Sequence, residues 1–253
     1  ALRPDLVVHS GDIAVADPDS AADRERAHEL LARFDAPLRA VPGNHDVGEP
    51  GDAPWLGIGV TDDRVAAFEQ VWGESHWRHD ADGWTVLGLN SELFTSGLDR
   101  ETEQWRWLER TAQEIPAEQP VLCFLHKPIW APLQGPTDHA LDVGEPARTR
   151  LLALLDRLDV RAVGSGHLHR YRPVQRAGVI EVWAPSTAFV AGEGSPGMGE
   201  ARACLGVVSY DCTTAGVRIQ LHQVPGLVEV DVAEVPEVHQ AIADIEARRV
   251  GAS

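Results

Sequence analysis

Apolar residues in this chain fall into short runs separated by stretches with helical spacing, and the two patterns alternate over much of its length. Leu6-Val7-Val8-His9 follows Pro4 and ends in Ser10-Gly11-Asp12, which predicts a buried strand whose last residues enter a loop. Ala27, Leu30, Leu31 and Phe34 recur at helical spacing and predict a helix from about Ala21 to Phe34. Leu38 to Val41 is the next strand, broken by Pro42-Gly43, and Glu49 to Val60, rich in Gly and Pro, reads as loop. Asp62 or Asp63 is placed to cap a helix running to about Trp72. Trp84 to Leu89 is a strand, and Trp105, Leu108, Ala112 and Ile115 share one face of a helix over Glu101 to Ile115. Val121 to Leu125 is apolar throughout, as expected of a strand covered on both faces. Leu151, Leu152, Leu154, Leu155 and Leu158 mark a helix, and Val160 to Val163 the strand after it. Beyond Tyr171 strands follow without helices, at Val179 to Trp183, Leu205 to Tyr210 and Val217 to Val224, before a helical tail over Glu237 to Arg249. Alternation first and strands later predict an α/β fold with two mixed sheets face to face and helices outside, a four-layer αββα sandwich. Residues 1–225 are expected to form that domain and 226–253 a C-terminal extension with a helix.

Four short segments each place side chains able to bind metal just after an apolar run. They are Ser10-Gly11-Asp12, Gly43-Asn44-His45-Asp46, His126-Lys127-Pro128 and Gly166-His167-Leu168-His169. In α/β sheets, sites form in the loops beyond the carboxyl ends of the strands, so four strands of one sheet would bring these side chains to a common edge. A carboxylate, an amide oxygen and several imidazoles make a mixed nitrogen and oxygen set, suited to Mn, Fe, Zn or Co better than to Ca or Mg. Each segment taken singly has a bland reading as a turn or a half-buried histidine. Four together are hard to explain that way.

In this order the four segments resemble the calcineurin-like metallophosphoesterase family, from about Leu6 to Tyr171. The resemblance implies hydrolysis of phosphodiesters or phosphomonoesters by water activated between two transition-metal ions, divalent or of mixed valence, with Mn, Fe or Zn expected and no organic cofactor. It implies that Asp12 bridges the two metals and that Asn44, His126 and His167 complete the second site. His169 would bind the first. His45 would contact the phosphate and protonate the leaving oxygen, with Asp46 orienting its ring. The family also carries an Asp-x-His on a strand ahead of Asp12, which this sequence lacks, and the opening Ala1-Leu2-Arg3-Pro4 reads as the tail of an earlier element. An upstream strand is therefore expected. The alternative is a catalytically impaired scaffold or binding protein with an incomplete metal site.

Substrate contacts are expected from residues flanking these segments. His139 lies in the long loop between two of them, Arg170 directly follows His169, Asn90 ends the strand at Trp84 to Leu89, and Trp130 lies four residues after His126. Charge narrows the partner. With 22 Lys+Arg against 39 Asp+Glu the net charge is -17, which argues against nucleic acid and anionic membranes. A small phosphorylated substrate or a phosphoprotein fits, since bound cations reverse the field locally. No apolar run spans a bilayer. The three cysteines lack a C-x-x-C spacing, and a reducing, cytoplasmic setting is expected.

Overall fold

The computed structural model describes residues 2–15, 17–51, 54, 57–131, 141–190 and 201–250, with the side chains of 241, 242, 245, 246 and 248–250 outside that description. Strands β1 (Val7–His9) and β2 (Leu38–Ala40) flank helix α1 (Ala21–Leu31) and pair in parallel. Helix α2 (Asn44–Val47) is a single turn, followed by α3 (Asp62–Trp72). Strands β3 (Trp77–Ala81) and β4 (Trp84–Gly88), helix α4 (Asp99–Glu114), β5 (Pro120–Leu125), α5 (Ala147–Leu155) and β6 (Asp159–Ser165) come next. The chain then runs through β7 (Arg170–Arg176), β8 (Val179–Trp183), β9 (Arg202–Ala203), β10 (Val207–Thr213) and β11 (Gly216–His222) to α6 (Pro236–Val250).

Seven strands build the main sheet in the order β3-β4-β5-β6-β8-β7-β9. Its centre, β4, β5, β6 and β8, is parallel, with β3 and β7 antiparallel on either side. Alternation along β5 shows why that centre reads as continuously apolar. Val121, Cys123 and Leu125 pack under Trp105 and Leu108 of α4 and Leu151 and Leu154 of α5. Leu122 and Phe124 point to the opposite face, where they meet Val8 of β1, Tyr210 of β10 and Val217 and Ile219 of β11. Each such fully buried side chain contributes about 2 kcal/mol relative to exposure.

The second β layer comprises two separate pairs, β1-β2 and the antiparallel β10-β11 hairpin. Helix α3 closes the outside of β2 with Val65 and Phe68 against Ala40. Helices, main sheet, paired strands and helix again make the four layers. The α3 cap is Thr61, whose hydroxyl accepts from Arg64 N–H, and not Asp62 or Asp63.

The layers place the four motif segments at one edge. β1 delivers Asp12, β2 delivers Asn44, β5 delivers His126 and β6 delivers His167, each beyond the carboxyl end of a parallel strand. The layers meet there closely. Gly166 N–H donates to the His126 carbonyl at 2.9 Å, and a Cβ on Gly166 would lie 2.9 Å from Ser10 Oγ.

Candidate metal centre

Local backbone geometry at this edge is unusual. Six non-glycine residues among those described have positive φ, and three of them are Asp12 (53°), His167 (64°) and His169 (53°). Left-handed backbone costs a side chain about 1–2 kcal/mol, and such residues gather where a site holds them in place. Gly43 is forced by contact instead, because a Cβ there would strike Asp12 Oδ1. At Gly11, with φ of 92°, a Cβ would sit 2.6 Å from His126 Nδ1.

Three donor atoms converge on His126 Nε2: Asp12 Oδ2 at 3.1 Å, Asn44 Oδ1 at 3.1 Å and His167 Nδ1 at 3.0 Å. The other ring nitrogen of His126 donates its proton to the Ser10 carbonyl at 2.7 Å. In a neutral ring that leaves Nε2 as a lone pair, facing a carboxylate oxygen, an amide oxygen and a second imidazole nitrogen. Lone pairs this close to one another repel unless a proton or a cation lies between them. Asp12, His126 and His167 are indeed close enough to share one ion. This donor set fits the transition-metal site expected from the sequence.

Electrostatics follow from burial. Burial alone would raise the Asp12 carboxyl, but the His126, His45 and His167 rings hold it far below the usual carboxylate range. His126 responds in the opposite sense. Burial lowers its pKa, yet Asp12 wins and raises it to about 9. Without a cation, the Asp12 carboxylate thus favours a second proton on the His126 ring, at the position a cation would compete for. Burial pushes His9 down to about 4 and lowers His169, and each has an Nδ1 atom without a hydrogen-bond partner. The His169 ring, its centroid 4.8 Å from that of Phe189, keeps this Nδ1 atom without a hydrogen-bond partner, in keeping with a ligand of the first metal.

The catalytic candidates are also present at the edge. His45 N–H donates to Asp12 Oδ1 at 2.9 Å, which sets the imidazole-bearing residue directly beside the carboxylate. Asp46 has a task that the sequence did not suggest. Its Oδ1 accepts from Ile13 N–H at 2.9 Å and Ala14 N–H at 3.2 Å, and its Oδ2 from Gly43 N–H at 2.9 Å. It thereby ties the loop bearing Asp12 to the turn bearing Asn44. Burial and the charge of Asp12 push its carboxyl up to about 7, against three N–H donors that favour the anion.

The expected substrate contacts fare differently. Asn90 has 0% exposure, its backbone is bridged by the Gln104 amide, and its Oδ1 accepts from Glu92 N–H, so it is walled in behind the site. Arg170 is buried and donates to the Ala201 carbonyl at 3.4 Å. Trp130 packs its ring against Arg176, the last residue of β7, while β7 leaves the site at Arg170. Asn90, Arg170 and Trp130 thus all make contacts within the fold, and none is shown to face a substrate. His139 lies outside the described residues. Outside the cluster, His76 packs on Trp107, His222 meets Ser209 and His239 meets the Ala233 carbonyl, which gives each a structural partner.

Comparison with known proteins points the same way. The sequence model of the calcineurin-like phosphoesterase family matches residues 1–171. The serine/threonine-protein phosphatase CPPED1 of Danio rerio is 32% identical over 179 residues, covering 66% of this chain and 55% of the relative. A probable cyclic nucleotide phosphodiesterase of Rhodococcus erythropolis is 30% identical over 222 residues, covering 83% of this chain and 68% of the relative. The chain spans about half the length of the CPPED1 relatives it matches. Among solved structures, GAP50, the anchor in the inner membrane complex of Plasmodium, superposes with a TM-score of 0.62 at 11% identity, covering 95% of this chain and 85% of that one. Purple acid phosphatase PPD1 from yellow lupin does so with a TM-score of 0.55 at 17% identity, covering 81% and 42%.

Proposed function

The chain belongs to the calcineurin-like phosphoesterase family, and on that premise we propose that it hydrolyses phosphate esters with the help of bound divalent cations. The observation that carries the reading is the meeting of Asp12, Asn44 and His167 at Nε2 of His126, the ring nitrogen not engaged by the Ser10 carbonyl. Those four residues would hold one cation, and Asp12 and His169 would contribute to a second, with Mn, Fe or Zn as the proposed metals. Cations held there would lower the pKa of a water and neutralise charge on phosphoryl oxygens.

The remaining roles belong to the protein. The Ser10 carbonyl fixes the tautomer and aim of His126. Asp46 holds two site loops in register through three backbone N–H groups. His45, tethered to Asp12 through its backbone, is the proposed general acid: it binds the phosphate and gives its proton to the departing alkoxide. No protein nucleophile is required, and water replaces the alcohol in line.

For the substrate we propose a small phosphorylated molecule or a phosphoprotein, in keeping with relatives named as a phosphatase and as a cyclic nucleotide phosphodiesterase. Assays with p-nitrophenyl phosphate and bis-(p-nitrophenyl) phosphate, with and without Mn²⁺, test both points. Turnover that depends on Mn²⁺ and stops with chelator is expected, and the preferred compound assigns monoester or diester. Absence of turnover on both by Mn²⁺-loaded protein contradicts the proposal.

A further inference from the structure

Immediately beneath His126 lies a buried charged cluster that the reaction does not use. Lys127 is 1% exposed, Glu92 0% and Glu49 7%. The Lys127 ammonium lies 3.1 Å from Glu92 Oε2 and 3.9 Å from Glu49 Oε1. Ser91 completes it, its hydroxyl accepting from Lys127 N–H at 3.0 Å and donating to Glu92 Oε1 at 3.0 Å. The four members sit on three segments of the site edge. Lys127 follows His126, Glu49 lies three residues after Asp46, and Ser91 and Glu92 form the short 3-10 turn after β4.

We propose that Lys127, clamped by Glu92, Glu49 and Ser91, is a positioning residue that sets the place of His126 relative to the other cation-binding side chains. The inference rests on the metal-centre reading above. A buried ion network contributes little net stability compared with apolar groups of the same size, so stability alone does not account for three buried charges here. What such a network does supply is fixed geometry across segments. Metal sites need their ligands within about 0.2 Å of ideal distances, and the backbone of Lys127 is continuous with that of His126. The Ser10 carbonyl holds the imidazole at Nδ1, while the clamp holds the backbone that carries it.

The test replaces the whole charged set at once by neutral groups of similar size, Lys127→Met with Glu49→Gln and Glu92→Gln, and compares Mn²⁺ affinity by calorimetry with the melting temperature of the metal-free protein. The visible spectrum of the Co²⁺-loaded protein reports coordination independently of activity. The clamp predicts a melting temperature near that of the parent, Mn²⁺ affinity weaker by about 10- to 100-fold, and an altered Co²⁺ spectrum. A folded triple variant with parental affinity and spectrum overturns it. Should the triple variant fail to fold, Ser91→Ala decides, since it removes only the hydroxyl bridge. Weaker Mn²⁺ affinity supports the clamp, and parental affinity overturns it. A parent protein that binds no Mn²⁺ contradicts the metal-centre reading itself, a result distinguishable from equal binding by parent and variants.

Discussion

Asp12 carries two tasks at once, one oxygen accepting from His45 N–H and the other facing His126. Asp12→Ala should therefore lose bound metal altogether, whereas His45→Ala should retain it and lose about 10²–10⁴ in turnover. Metal analysis beside steady-state rates separates the two, and a His45→Ala protein without metal contradicts the assignment. Asp46→Asn presents an N–H donor to one or more backbone donors, and should cost about 1–3 kcal/mol in urea unfolding. In the metal-free protein, His126 has a folded pKa of about 9 against 6.5 unfolded. Its contribution to stability is then full below about pH 6.5 and is lost as pH rises through 9, and His126→Gln should abolish that slope. The metal-binding types were readable in the sequence because the side chains themselves announce the chemistry. The clamping roles of Asp46 and Lys127 were not, since they depend on which backbone amides and carboxylates the fold brings near.

Among the elements, the strands predicted from apolar runs are present, while the two-residue β9 was missed, and so were β3 and β7. Their sequences, Trp77-Arg78-His79-Asp80-Ala81 and Arg170-Tyr171-Arg172-Pro173-Val174-Gln175-Arg176, carry polar residues because each lies outside the parallel centre of the sheet. A signal was available for β3. Asp82 and Gly83, both with positive φ, join β3 to β4 as a two-residue hairpin turn. Gly83→Ala has open space for its methyl and should lose only the backbone preference, about 1 kcal/mol by thermal unfolding. Below the site, burial raises Glu181 from 4.5 to about 6 while it accepts from Trp130 N–H. The folded state then holds the proton over a range where the unfolded chain has lost it. Stability at this group should fall by about 2 kcal/mol as pH rises from about 4.5 to 6, and Glu181→Gln should flatten that profile.

For the whole molecule, the expected four layers are present, and the inner layer is divided into two strand pairs that pack on one face of the main sheet. Sequence patterning could foresee the layers, because it reports which residues are buried, but not the pairing of the strands. Among the described residues no helix is long and apolar enough to cross a membrane. A cation bound by four segments on different strands would join both β layers, so chelation should lower the melting temperature. At a free concentration 100 times the dissociation constant, binding contributes about 2.7 kcal/mol, or roughly 5–10 °C for a chain of this size. The most direct test is anomalous scattering from crystals equilibrated with excess Mn²⁺. A peak within about 2.2 Å of Asp12 Oδ2, Asn44 Oδ1, His126 Nε2 and His167 Nδ1 is predicted. Crystals that contain Mn²⁺ elsewhere or nowhere, with those four atoms still in contact, would contradict the metal centre and the hydrolysis that depends on it.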